Sequence, residues 1–263
     1  MSTPVPPRPD LHTPAVPGPE VGGRVRSTWG WWEGVGVYLL AFIVGGIATL
    51  PIIAIFGDTM VGGAAGPTEI LATIAADVVI LAILVFWLSR RHAEWRGAID
   101  FSTRERAPRD VLFGLIAGAI LVPAIGLVAG GLSQILREAS GRSVSTPAQI
   151  APGLSAGGAV LLVLLACVVA PITEEFFFRG VLFRSVRDRH GFWPAALASA
   201  IPFGLSHYVP SPWIDALLLQ LTMVGTGIGL AWVYERRGTI VSSMAAHMAF
   251  NVIGVITILA VIR

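Results

Sequence analysis

Pro171-Ile172-Thr173-Glu174-Glu175-Phe176-Phe177-Phe178-Arg179-Gly180 closes the apolar run Ala159–Ala170 and opens a basic segment with Arg184, Arg187 and Arg189. An ionised side chain in the middle of a membrane costs about 2.5–3.5 kcal/mol on insertion scales, so acids beside such a run face a protein interior or a hydrated cavity. On a helix Glu175 and Arg179 stand four apart on one face and can pair. Glu174 is rotated about 100° from Glu175 and has no such local partner. One carboxylate neutralised and its neighbour left free is the pattern of an orienting group beside a reacting group.

Outward from this stretch the chain reads as membrane protein. It is 54% hydrophobic and only 13% charged, against about 25% charged in soluble domains. Its mean hydropathy is +0.75. All 18 basic residues are arginine and the net charge is +2, too small to argue for a nucleic-acid partner. The single cysteine, Cys167, lies in an apolar run and excludes both an internal disulfide and a cysteine metal site.

The spacing of apolar runs predicts an all-α, polytopic transmembrane bundle of about seven spans. Residues 1–30 are proline-rich and are expected to be a disordered cytoplasmic tail. Trp29, Trp31 and Trp32 read as an interfacial belt. Residues 31–156 hold three spans, near Val37–Phe56, Ile70–Leu88 and Val111–Leu132, with Ser133–Ala156 as a polar loop. Asp77 sits inside the second span, where a structural acid and a functional one are equally good readings. Residues 157–263 form the core: a fourth helix from Gly157 to about Arg189, a fifth to His207, a sixth over Ile214–Tyr234 and a seventh over Thr239–Ile262. Arginines follow spans two, four and six, so the positive-inside rule places those loops and the N-terminus in the cytoplasm and the C-terminus outside. An odd span count also argues against an inverted-repeat transporter.

Three helices of the core carry nearly all its intramembrane polar groups. The fourth brings Glu174, Glu175 and Arg179. The fifth brings Phe203 and His207, and the seventh His247 and Asn251, each an i,i+4 pair on one face. Glu174 precedes the turn at His190 by 16 residues and His207 follows it by 17. An antiparallel hairpin therefore sets them at equal depth. His247, nine residues past Gly238, falls nearer the basic end by about 10 Å. Pro171 and Pro202 remove the helical bonds to the carbonyls of Cys167 and Ala198, so kinks are expected beside the polar groups. Small residues, among them Gly225 and Gly229, Ser242, Ser243, Ala245 and Ala246, let the helices approach.

Glu-Glu-x-x-x-Arg at 174–179, Phe-x-x-x-His at 203–207 and His-x-x-x-Asn at 247–251 resemble the three motifs of the CPBP family. These are the CAAX-protease and bacteriocin-processing membrane proteins, Abi-like and related to the type II CAAX prenyl endopeptidases. The resemblance covers about Gly157–Ile262. It implies an intramembrane endopeptidase acting on a membrane-associated protein or peptide. Glu174 is then the general base for a water that His207 shares, His247 and Asn251 are donors to the carbonyl oxygen, and Glu175 with Arg179 is the supporting pair. Glu174, His207 and His247 are also a zinc-competent set. No HExxH pairing is present, and the family picture favours water activation without a cofactor, zinc being the alternative. A non-catalytic immunity protein or scaffold is the rival from another class, followed by a proton-coupled transporter.

Overall fold

The computed structural model describes residues 25–60, 64–147, 149–150 and 154–261. Among them the backbone is helical: α1 Trp31–Phe56, α2 Pro67–Arg91, the short α3 Trp95–Ile99, α4 Ala107–Ser140, α5 Ala156–His190, α6 Phe192–Ser206, α7 Trp213–Arg237 and α8 Ile240–Val261. Six of these (α1, α2, α4, α5, α7 and α8) are long and apolar enough to cross a membrane. The seventh apolar segment, α6, has 15 residues. At 1.5 Å per residue it reaches about 22 Å, short of the roughly 30 Å hydrocarbon core. The third span continues beyond the expected Leu132 to Ser140, where Gly141 closes it in the left-handed conformation (φ 67°). Only the remainder of the expected 133–156 loop is a connection.

α5 is continuous, as the sequence predicts, but its hydrogen bonding is not uniformly α. It contains two π stretches, Leu165–Val169 and Phe176–Phe183. Pro171 explains the first. The amide of Ala170 reaches back five residues to Leu165 O, and in that register the next amide would serve Ala166 O. Pro171 has no N–H to give. The amide of Asn251 on α8 donates to Ala166 O instead, at 2.7 Å. The expected break at Cys167 is thus displaced by one residue, and the helix widens rather than ends. Such bulges gather at functional sites.

Close helix contacts frame this widened segment. On α4, Gly114 and Gly118 face α8, and a Cβ on either would collide with a backbone carbonyl oxygen, that of Ser242 or of Ala246. Between α6 and α7 the near approaches are at Gly204 and Gly227. A Cβ at Gly204 would lie 2.7 Å from Gln220 O, and one at Gly227 3.0 Å from Ala200 Cα. Gly225 and Gly229 turn instead toward Ile125 and Leu121 of α4.

The loops after spans two, four and six are knitted together at one end of the bundle. Arg237 pairs with buried Asp110, and Arg187 pairs with Glu235 at 2.7 Å. Tyr234 donates to Ile99 O at 2.9 Å, and the Ile240 amide donates to Asp100 O at 2.9 Å. The N-terminal approach docks at the same end. The Trp29 indole is fully buried and donates to Val181 O at 2.9 Å, while Ser27 N–H donates to Asp188 at 2.7 Å. Two expectations change accordingly. The tail is packed from Val25 onward, the rest of its reading lying outside the described residues. Trp29 belongs to the core, leaving Trp31 and Trp32 exposed. Residue 263, expected opposite the basic loops, also lies outside the described residues.

Candidate active site

The second π stretch begins immediately after Glu175 and contains Arg179. Both side chains are fully buried, and they pair at 2.9 Å. Arg179 spends its second terminal nitrogen on Gly227 O at 2.9 Å, and its guanidinium lies over the Phe203 ring at 4.7 Å. Charge, both terminal nitrogens and the planar face are therefore used, while Nε makes no hydrogen bond among the described residues.

His247 comes to the same carboxylate from α8. Its Nδ1 donates to Glu175 Oε1 at 3.0 Å, and its Nε2 stands 3.8 Å from Glu174 Oε2. That Glu174 oxygen is shielded from solvent and makes no hydrogen bond among the described residues. Since buried polar atoms are nearly always satisfied, an orphaned carboxylate oxygen in a membrane-long bundle marks a working position. The order of groups is Arg179, Glu175, His247, Glu174: three that hold one another and a fourth left open.

His207 caps the end of α6. Its Nδ1 donates to Phe203 O at 2.8 Å, which fixes the tautomer and leaves Nε2 as a free acceptor. Phe203 lies between the two imidazoles, 4.7 Å from the His207 ring and 5.8 Å from the His247 ring. One phenyl ring thus gathers the histidines of α6 and α8 around the α5 acids. His207 makes no ion pair with Glu174 among the described residues, so any link between them runs through an intervening molecule.

Asn251 sits elsewhere than the sequence implies. One of its two N–H groups is committed to Ala166 O, so it braces the bulge and has only its second N–H to offer a substrate. His247 has a similar restriction. With Nδ1–H given to Glu175, its Nε2 can donate only when the ring is doubly protonated.

Among the described residues no three His, Cys, Asp or Glu side chains converge as ligands. Glu175 is taken by Arg179 and His247, while each histidine commits its Nδ1 and keeps its Nε2.

The N-terminal helices close the remaining sides. Tyr38 of α1 stacks on Phe177 with centroids 3.7 Å apart and planes within 9°. Thr173 Oγ1 donates to Asp77 O of α2 at 3.4 Å. Beside the site a cavity of about 510 Å³ runs between α1, α5 and α6, lined by Tyr38, Phe178, Pro202 and Ser206 at one part and by Trp31 and His190 at another. Sequence reading missed Tyr38; an aromatic in a first span carries no signal of which neighbour it will meet.

A family model described as Rce1-like, type II CAAX prenyl endopeptidase Rce1-like, matches residues 156–253. The Bacillus subtilis (strain 168) protein named "Putative membrane peptidase YdiL" is 31% identical over 103 residues. The aligned stretch is 39% of this chain and 39% of that protein, so the chain spans well under half of its relative's length. No solved structure gives a significant match.

Proposed function

We propose, from the match of residues 156–253 to the Rce1-like family model, that the chain is an intramembrane endopeptidase of the CAAX-protease kind, hydrolysing a peptide bond of a membrane-associated protein or peptide. The observation that carries this is the orphaned, shielded Glu174 oxygen beside His247, with Glu175 and Arg179 neutralising each other next to it.

In this mechanism Glu174 accepts a proton from a water whose second hydrogen bonds to the free Nε2 of His207. The oxygen adds to the scissile carbonyl carbon. His247, doubly protonated and held by Glu175, donates from Nε2 to the developing oxyanion. Collapse breaks the C–N bond, its electron pair goes to nitrogen, and the nitrogen gains a proton in exchange for the one that Glu174 took from water. Arg179 and Glu175 keep His247 in place, and Asn251 keeps the α5 bulge open so that Glu174 points into the pocket. No metal step is needed. The substrate's apolar part lies along the cavity between α1, α5 and α6, the basic loops face the cytoplasm, and the C-terminus lies outside.

The test is a comparison of membrane-protein termini in cells carrying the parent chain or Glu174→Gln. At least one protein is expected to accumulate uncut with Glu174→Gln, at equal expression. Identical sets of termini would refute an endopeptidase and favour a scaffold.

A further inference from the structure

Asp77 is a carboxylic acid within the spans that the mechanism above leaves unused. It is half-buried on α2, and among the described residues its carboxylate makes no hydrogen bond or ion pair. Two contacts fix its position. Thr173 Oγ1 donates to the Asp77 carbonyl at 3.4 Å, which holds α2 at Asp77 against the residue before Glu174. Gly45 of α1 lets that helix approach Ala76, the preceding residue; a Cβ there would lie 3.1 Å from Ala76 O. Asp77 and Glu174 are near enough for their charges to interact, and Tyr38 is within reach of both. Two acids on different helices, Asp77 without a bonded partner and Glu174 with only His247 Nε2 at 3.8 Å, therefore stand within charge range of each other. Such a pair is costly unless the two take different protonation states, and enzymes divide acid and base work between carboxylates in this way.

We propose that Asp77 is the second acid of the site and supplies the proton to the leaving amine. The step rests on the endopeptidase reading and completes it: Glu175, Arg179 and His247 are committed to one another, and a second acid spares Glu174, protonated by the water, from serving both steps. Glu174 takes one proton from water as the new C–O bond forms. When the C–N bond breaks, its electron pair goes to nitrogen, which takes the proton of the Asp77 carboxyl. Transfer from Glu174 to Asp77, directly or through one water, resets both groups. Protons balance and no other reactant is consumed. It follows that the N-terminal helices, outside the Rce1-like stretch, supply part of the chemistry.

Two measurements test this. In a Cys167→Ala background, Asp77→Cys with Glu174→Cys should be bridged by a short bis-methanethiosulfonate reagent in the membrane. Failure to bridge in folded protein overturns the closeness of the two acids whatever the activity. The second uses a synthetic peptide spanning the cut found in the Glu174→Gln comparison, as an amide and as the matching ester. Asp77→Asn should slow amide cleavage by about 10²-fold or more with KM unchanged. The ester, whose leaving group needs less protonation, should be affected far less, and Asp77→Glu should stay within about tenfold of the parent. Equal loss on amide and ester, or no loss, overturns the proposal. If Glu174→Gln leaves all termini unchanged, the endopeptidase reading itself fails and this assignment falls with it.

Discussion

Truncating Arg179 to alanine tests the electrostatic frame of the site. Arg179 and Glu175 are both fully buried at 2.9 Å, and a second bond runs to Gly227 O at 2.9 Å. Removal leaves Glu175 charged with only His247 as partner, and Gly227 O loses its second hydrogen bond. Breaking a buried pair costs about 3–5 kcal/mol. The lost contact with the face of Phe203, 4.7 Å away, adds to this cost. At 1.4 kcal/mol per tenfold, that raises the unfolded fraction by about 10²–10⁴. The assay is folded yield and apparent melting of the purified protein in detergent. Replacing both partners, as Glu175→Met with Arg179→Met, removes the stranded charge and should recover most of the stability. It should not recover activity, because His247 loses the carboxylate that orients it. Melting of Arg179→Ala with the parent would show that the pair is solvated, and would refute the reasoning.

Three further outcomes are expected. Asn251→Ala strands Ala166 O at the α5 bulge and should destabilise by about 1–3 kcal/mol, measured by melting; Asn251→Ser, which keeps a short donor, should lose less. Gly118→Val drives a side chain into the Ala246 carbonyl and should abolish folded yield, whereas Gly126→Val, at a position open to its surroundings, should not. Exhaustive chelation should leave cleavage intact; loss of activity restored by zinc would overturn the metal-free mechanism.

How much the sequence discloses depends on whether a feature is local. The Glu175–Arg179 pair follows from helical spacing alone, and the structure contains it. Arginine clustering marks the loops that join at one end, because their charges cannot enter lipid. Depth was harder. Counting residues from the turns sets His247 about 10 Å from the level of Glu174, yet the structure puts it beside both acids. Eight residues of π-helix lie between Glu174 and His190, and wider turns advance less per residue. Glu174 therefore lies closer to the basic end than an α count implies. The role of Asn251 depends on the same displacement, since only a five-residue register makes Ala166 O the carbonyl that Pro171 leaves free. The burial of Trp29 and the contact of Thr173 with the Asp77 backbone depend on how helices rotate against each other, which no local spacing encodes.

The most direct measurement is cleavage by the purified chain, reconstituted in vesicles, of the protein that accumulates uncut in Glu174→Gln cells. The parent should cut it, His207→Ala should cut it at least 10²-fold more slowly, and Glu174→Gln should not cut it although it folds and inserts equally. Cleavage by Glu174→Gln at the parent's rate would contradict a mechanism centred on this carboxylate.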